Sequence, residues 1–490
     1  MNVAADLAKR AGRCGWSASP AFIDEHRTWT HGEVHDRAAR VATVLCERGV
    51  RPGDRVVLAL PDSFGWVVTF LAAARLGATA VLVNPELTAD DHRYLVKDCA
   101  ARLTVTDARR ADHFDAGRRL NIDDLLTLAG AAGHAVAAST DEDTPLYLQY
   151  TSGTTGEPKG VVHRHGDLPL YYDAVGCAVL GIEPTDVTLS VSKLFFAYGF
   201  GNAFVFPLYS GSSAVLVAGR PTAEAISELV ARHGVTLLYA VPSAYAALVE
   251  RARPAAFDSV RAAVSAGETL PPQLGEQTSR LLGAPVCEQI GSTEAGHAFC
   301  ANTTADNVPG TLGRPVPGYD LEIRDRDGLA VADGEQGELW VRGPTLLREY
   351  LNRPAETAKV LVDGWLSTRD LACRQADGTY RHLGRVDDME MVGGITVSPL
   401  EVERLLAEHP LVREVAVAAV TDISGATKLR AYVVPRHPAG DDTVLENELI
   451  GLARSQLAPF KVPRTVHVVP AMPRTPTGKL RRHVVRTGSW

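Results

Sequence analysis

Lysine is scarce in this chain: eight lysines stand against 42 arginines in 490 residues. No basic run reaches five residues, and the densest, Arg481-Arg482-His483, lies at the tail and reads as a helix cap. With 50 basic against 58 acidic residues and a formal charge of −8, nothing marks a nucleic-acid-binding surface. The seven cysteines (Cys14, Cys46, Cys99, Cys177, Cys287, Cys300 and Cys373) are scattered and odd in number, with no C-x-x-C, which excludes a disulfide framework or a zinc knuckle. No uncharged apolar stretch of about 18 residues exists to span a membrane. Met1-Asn2-Val3-Ala4-Ala5-Asp6-Leu7 also lacks the basic start and apolar run of a secretory leader, so a cytoplasmic location is expected. Neither low-complexity tracts nor internal repeats occur. Hydrophobic residues make up 46% of the chain, enough for two to four globular folding units at about 100–200 residues per domain.

Short apolar runs alternate with helical patterns up to about residue 380. Val56–Leu60 reads as a strand, Ser63–Leu76 as a helix and Ala80–Val83 as a strand; the rhythm returns at Ala214–Val217, Leu237–Ala240, Ala262–Ser265 and Val286–Ile290. Such alternation predicts an α/β body of parallel sheets covered by helices. Glu338–Arg342 and Thr379–Leu383 predict a small β-rich subdomain within it. After Gly384-Arg385-Val386-Asp387-Asp388 the pattern changes to a hairpin, a helix from about Pro399, strands Val415–Val420 and Arg430–Val434, and a helix over Leu445–Leu457. The expectation is a body over 1–384 and a smaller α+β C-terminal lid over 385–490, hinged near Asp387.

The most informative segment is Leu146-Tyr147-Leu148-Gln149-Tyr150 followed by Thr151-Ser152-Gly153-Thr154-Thr155-Gly156-Glu157-Pro158-Lys159-Gly160. An apolar strand runs into a loop where hydroxyls alternate with glycines and a lysine closes the run. Glycines let backbone N–H groups approach an anion, hydroxyls add donors and the lysine adds a point charge, a composition suited to a polyphosphate. It is not a Walker loop, because Gly160 rather than Ser or Thr follows Lys159. Lys479, in the proline-stiffened loop Pro473-Arg474-Thr475-Pro476-Thr477-Gly478-Lys479, is a second lysine held where arginine is the default cation.

These segments, with Gly291-Ser292-Thr293-Glu294, Gly337-Glu338-Leu339 and Gly384-Arg385-x-Asp387-Asp388 in the same order, resemble the adenylate-forming superfamily of acyl- and aryl-CoA ligases, peptide-synthetase adenylation domains and luciferases. The resemblance spans nearly the whole chain. Ser192-Lys193-Leu194-Phe195-Phe196-Ala197-Tyr198-Gly199-Phe200-Gly201-Asn202 and Ile290-Gly-Ser-Thr-Glu-x-x-His297 look most like the benzoate-CoA ligase branch.

The resemblance implies ATP and Mg²⁺ as co-substrate and cofactor. It gives Thr151, Ser152, Gly153, Thr154, Thr155, Gly156 and Lys159 to the β- and γ-phosphates, and Gly267, Glu268 and Thr269 to the adenine face. Gly291 and Ser292 belong to the same ATP site, Thr293 to the α-phosphate and Glu294 to Mg²⁺. Asp370 would accept from the ribose hydroxyls with Arg385 assisting, and Lys479 would reach the α-phosphate and the carboxylate. The residue types suit the chemistry. A carboxylic acid is already ionised at neutral pH, so attack on the α-phosphorus needs no base, only positioned cations to bring two anions together.

The acid pocket implied by the resemblance comprises Phe196, Ala197, Tyr198, Gly199, Val241, Ala266, Ile290, Gly296 and His297. Relatives that activate amino acids place an aspartate in the Phe196–Gly199 stretch; none stands there here, so an uncompensated ammonium is disfavoured and an aryl acid expected. His297 either orients a substituent or the carboxylate, or packs as a structural histidine. The small Ala295 and Gly296 predict a deeper slot and an acid larger than benzoate, a substituted benzoate or a cinnamate-like acid.

Two positions depart from the family pattern. Arg369 stands in Thr368-Arg369-Asp370 where a glycine is usual, and Met391 stands where the lid hairpin usually has a lysine. CoA is the expected thiol acceptor. A free-standing carrier protein, an amine, or nitrite activation for aryl-amine diazotisation are the alternatives, and a weakened binding or sensor protein is the non-enzymatic one. Only eleven residues follow Lys479, so any carrier is expected on a separate chain. No G-x-S-x-G or H-E-x-x-H supports a hydrolase. His163-Arg164-His165 resembles a metal pair but is expected to pack beside the phosphate loop.

Overall fold

The computed structural model describes residues 1–151, 157–392, 395–421, 427–436, 442–474, 480–488 and 490. Ser152, Gly153, Thr154, Thr155, Gly156 and Lys479, all expected to meet ATP, lie outside them, as do Gly393 and Gly394 of the lid hairpin. The described chain divides into two compact units. The first comprises Met1–Gly267, Glu276–Leu321 and Val341–Leu366, the second Glu268–Gly275, Glu322–Trp340 and Ser367–Trp490.

Two sheets organise the first unit. A six-stranded sheet runs in the order Arg119–Asn121, Leu103–Thr106, Arg55–Ala59, Thr79–Leu82, Pro145–Thr151 and Lys159–Arg164. All neighbours are parallel except the last pair, which is antiparallel, with Thr151 opposite Lys159. The expected strand–helix–strand rhythm is present as Arg55–Ala59, Phe64–Arg75 and Thr79–Leu82. Ser63 caps that helix by accepting from the Trp66 N–H (3.2 Å), and nearly every side chain from Phe64 to Ala74 is buried, as an all-round apolar helix requires.

A nine-stranded sheet carries Val187–Ser190, Leu237–Ala240, Ala262–Ser265 and Val286–Gly291 side by side and parallel. Adjacent parallel strands end on the same edge, so the residues that follow them (Val241 after Ala240, Ala266 and Gly267 after Ser265, Ser292 after Gly291) are delivered together to the carboxyl edge where open α/β sheets bind ligands. Ala197–Phe200, Gly201–Val205 and Phe206–Ser210 form one helical run whose middle segment is wound as a π-helix. Behind it Trp66, Phe70, Tyr147, Phe200 and Phe204 pack ring against ring at 4.7–5.6 Å between the closest centroids.

In the second unit Trp365–Arg374 pairs antiparallel with Tyr380–Arg385, which sets Asp370 opposite Arg385. The expected hairpin is Glu390–Val392 against Ile395–Val397, followed by the helix Pro399–Ala407. Val412–Thr421, Thr427–Pro435 and Thr465–Val468 form a three-stranded sheet, and the last expected helix runs Asp442–Gln456. Val402, Leu406, Val417, Val433, Leu445 and Leu449 make its core. Among the described residues, no helix is long and apolar enough to cross a membrane.

Candidate active site

The Gly291–His297 turn is held by a run of buried and half-buried hydrogen bonds. Ser292 Oγ accepts from the Ala295 N–H (3.1 Å), and the Gly296 N–H donates to the Thr293 carbonyl (3.1 Å). From the neighbouring segment the Thr345 hydroxyl donates to the Ala295 carbonyl (2.7 Å) and the Leu347 N–H to the Glu294 carbonyl (2.6 Å). Tyr350 donates its hydroxyl to Glu294 Oε1 (2.8 Å), orienting the carboxylate expected to bind the metal. No group of three or more His, Cys, Asp or Glu able to hold a metal occurs among the described residues. One oriented carboxylate nevertheless suits Mg²⁺, which is usually bound by one or two carboxylates and completes its shell with phosphate and water.

Gly296 sits at φ +77°, and a Cβ there would lie 1.9 Å from Tyr171 Oη. The turn and the tyrosine therefore require glycine on their own account. The room left by the missing side chain is filled by a phenol and does not lengthen the acid slot, which corrects the expectation of depth at this position.

At the foot of the phosphate loop Lys159 Nζ lies 2.5 Å from Glu356 Oε2 and 5.2 Å from the centre of the Tyr350 ring. The hydrogen bond from Lys159, with its charge and that of Arg353, holds the Glu356 carboxyl below its ordinary range. Lys159 thus stands one aromatic ring away from Glu294, although 135 residues separate them in sequence.

The residues expected to form the acid pocket come from four segments: Phe196 and the helix Ala197–Phe200 carrying Tyr198 and Gly199, then Val241, Ala266, and Ile290 with His297. Tyr198 donates its hydroxyl to the Val264 carbonyl (2.8 Å), and its ring lies 6.3 Å from that of His297. Burial pushes the Tyr198 phenol well above its usual value. His297 packs so closely on Gly201 that a Cβ there would meet its Cδ2 at 2.2 Å. Its Nε2 faces Asn202 Oδ1 at 3.1 Å. Burial lowers the imidazole pKa to about 3 against a backbone hydrogen bond to Tyr198, so the ring is neutral. Neither Nδ1 nor Asn202 Nδ2 has a side-chain hydrogen-bond partner among the described residues. The ring is packed, and one of its nitrogens is left over.

In the second unit Asp370 is buried, with His382 Nε2 and Arg385 Nη1 each 3.4 Å from its Oδ1. Burial works to raise this carboxyl, but His382, Arg385 and Thr368 outweigh it and hold its pKa below the ordinary 3.8. Thr269 Oγ1 lies 3.0 Å from His382 Nδ1, so the residues expected at the adenine face and at the ribose share one histidine. Glu268 is engaged by Arg474 (3.3 Å), which also holds Glu414 (2.7 Å). Arg369 adopts φ +62°, the left-handed backbone that explains the family's usual glycine, and its guanidinium reaches Asp387 Oδ1 (2.7 Å). Met391 is 57% exposed on its strand.

Sequence reasoning missed Tyr350, Glu356 and His382, gave Asn202 no role, and took His163 for packing alone. Fully buried, His163 places Nε2 2.7 Å from the Thr293 carbonyl. A His and an Asp four residues apart just after the phosphate loop was the available signal; the others left none.

Known proteins share this architecture. A family model described as "AMP-binding enzyme" matches residues 10–351, and its C-terminal domain model matches 401–479. The chain is 40% identical over 487 residues to p-hydroxybenzoic acid–AMP ligase FadD22 of Mycobacterium marinum, covering 99% of this chain and 69% of that relative. It is 38% identical over 507 residues to the 4-hydroxybenzoate–CoA/benzoate–CoA ligase of Rhodopseudomonas palustris, covering 99% and 94%. Among solved structures it superposes on the anthranilate CoA ligase AuaEII in complex with anthranoyl-AMP, with TM-score 0.94, 32% identity and coverage of 100% and 97%.

Proposed function

Because this chain belongs to the AMP-binding enzyme family, we propose that it activates an aromatic carboxylic acid with ATP and Mg²⁺, releasing pyrophosphate and forming the aryl adenylate. The single observation that carries the aryl reading is the Tyr198–His297–Asn202 arrangement: buried aromatic surface, a neutral imidazole and no carboxylate in Phe196–Gly199. An unpartnered, buried Nδ1 favours a ring that brings a hydrogen-bonding substituent, because a buried polar atom left unpaired costs about 1–3 kcal/mol. A hydroxy- or amino-substituted benzoate meets it. The p-hydroxybenzoic acid, 4-hydroxybenzoate and anthranilate in the relatives' names fit the same description, and the unsubstituted benzoate also named there does not. A cinnamate-like acid is the longer alternative.

In this reading Thr151 to Gly156 and Lys159 hold the outgoing phosphates, and Gly267, Glu268, Thr269, Gly291 and Ser292 hold the purine side. Asp370 and Arg385 hold the ribose, and Thr293 and Lys479 hold the α-phosphate. Mg²⁺ at Glu294 offsets charge on the phosphoryl oxygens. Tyr350 presents the Glu294 carboxylate, and the turn keeps Thr293 beside it. The acid's own carboxylate is the nucleophile, so the protein's task is positioning and charge compensation.

CoA is the proposed second substrate, with the lid over 385–490 turning near Asp387 to expose the adenylate. A carrier protein or another nucleophile is the second reading, favoured by Met391 at the position of the usual lysine and by a relative named for its AMP ligation. Incubation with ATP, Mg²⁺ and a panel of aryl acids, with and without CoA, read by mass spectrometry, tests both steps. Adenylate and pyrophosphate with a hydroxy- or aminobenzoate are expected. A clear preference for unsubstituted benzoate removes the role given to Nδ1, and adenylate without thioester moves the acceptor to the second reading.

A further inference from the structure

The histidine 130 residues before Thr293 does more than pack. Its ring stands between two acceptors: Nε2 faces the Thr293 carbonyl at 2.7 Å, and Nδ1 faces Asp167 Oδ2 at 3.0 Å. His163 and Asp167 side chains are 0% and 1% exposed. Asp167 is fixed in turn by the Arg164 N–H (3.0 Å) and the Arg164 guanidinium (3.2 Å). Tyr147 stacks on the imidazole at 4.9 Å between centroids. The Tyr171 hydroxyl, 3.1 Å from His163 Nδ1 and 2.6 Å from the Tyr147 hydroxyl, is the atom that excludes a side chain at Gly296. One buried assembly therefore grips the turn twice, through the carbonyl of Thr293 and against the α-carbon of Gly296. The gripped carbonyl belongs to the peptide joining Thr293 to Glu294, so its orientation sets the direction of both side chains.

We infer that His163 is a positioning residue: oriented by Asp167, it fixes the Thr293–Glu294 peptide so that the Thr293 hydroxyl and the Glu294 carboxylate address the α-phosphate and Mg²⁺ together. The inference rests on the proposed activity for what those two side chains touch. His163 itself touches neither nucleotide nor metal in this arrangement. Its effect belongs to the transition state and to the metal requirement, while recognition of the aryl acid should be almost untouched. Outer-shell partners of metal ligands typically change affinity or rate 10–100-fold when removed, and small misplacements act on the same scale.

Three variants test it: His163→Leu, which deletes the donor; His163→Gln, whose amide nitrogen can reach the same carbonyl; and Asp167→Asn, which loosens the ring. ATP–pyrophosphate exchange with the preferred acid is measured across a Mg²⁺ titration, together with ATP binding as a function of Mg²⁺ and the melting temperature. Expected for His163→Leu are a fall in kcat of about tenfold or more, KM for the acid within about threefold, and a higher Mg²⁺ requirement in both exchange and ATP binding. His163→Gln should recover most of kcat, and Asp167→Asn should fall between. A folded His163→Leu protein with wild-type kcat and Mg²⁺ dependence overturns the inference, as does His163→Gln impaired as deeply as His163→Leu. Should His163→Leu fail to fold, Asp167→Asn decides by the same two readouts. A wild-type protein that exchanges pyrophosphate with no aryl acid sinks the proposed activity instead; the Mg²⁺ dependence of ATP binding, variant against wild type, still judges the relay.

Discussion

The Thr293–Glu294 turn of the first unit and the Asp370 cluster of the second are held by different physics. Around Thr293–Glu294 the contacts are short and directional: His163 to a carbonyl, Thr345 to a carbonyl, Tyr350 to a carboxylate, all at 2.7–2.8 Å. Around Asp370 they are charged and looser: His382 and Arg385 at 3.4 Å, with Arg369–Asp387 and Arg474–Glu268 partly open to solvent. Short directional bonds specify one geometry. Ion pairs whose arginines stand partly in solvent contribute less each and give way to salt. The first arrangement suits a place where an angle decides a rate, and the second a place where contacts are made and released.

The heaviest blow to this contrast falls on the lone lysine of the C-terminal loop. Lys479→Ala should abolish adenylate formation, a loss of roughly 3–4 kcal/mol of transition-state stabilisation or about 10²–10³ in rate, while ATP binding stays largely intact. Adenylation at a near wild-type rate would refute the assignment.

Acid should separate the units next. In the first unit burial lowers the pKa of His31, of His165 to about 4 and of His297 to about 3. A base with a lowered folded pKa contributes stability that is present above about pH 6.5 and is lost as pH falls towards the folded value. Asp370 in the second unit has its pKa held below 3.8, so its contribution survives until pH drops below about 4. Thermal unfolding followed between pH 7 and pH 4.5 should show the first unit weakening ahead of the second, by about 1 kcal/mol per pH unit for each such ring. Parallel loss in both units would erase the distinction.

Gly296→Ala comes third. It forces a methyl onto Tyr171 Oη and a side chain into left-handed backbone, for a destabilisation of about 1–3 kcal/mol in the melting curve. Paired with Tyr171→Phe, which removes the clashing oxygen, part of that loss should return. The smallest effect is Arg474→Gln, at most about 1 kcal/mol and vanishing in high salt, because both its ion pairs are partly exposed.

The placing of these groups was legible wherever chain order and local chemistry coincide. Ala262–Ser265 and Leu237–Ala240 came out residue for residue, because a buried parallel strand is a short apolar run with sharp ends. The ends of those strands set Val241, Ala266 and Gly267 on one edge of the sheet. Illegible were contacts across long sequence separation. Nothing near His163 says that a carbonyl 130 residues onward will need a donor, and nothing near Glu356 marks it as the partner of Lys159. Gly296 misled for a related reason: a glycine reports that a side chain is forbidden, and only the fold tells what forbids it. Arg369 shows the reverse, a side chain in a backbone shape that favours glycine, with Asp387 bonded to its far end.

The π-wound segment Gly201–Val205 has a consequence of its own. An α-helix advances about 100° per residue, so one surplus residue shifts the phase of everything beyond it by that angle. Upstream, Tyr198 keeps its hydroxyl on Val264; downstream, Phe206 lies 4.9 Å from the His297 ring. Both rings lie beside His297, with the surplus residue between them. Deleting one residue from the segment would leave the composition of the helix almost intact while rotating one ring away from that histidine, making this helix a vernier on which the two are brought into register.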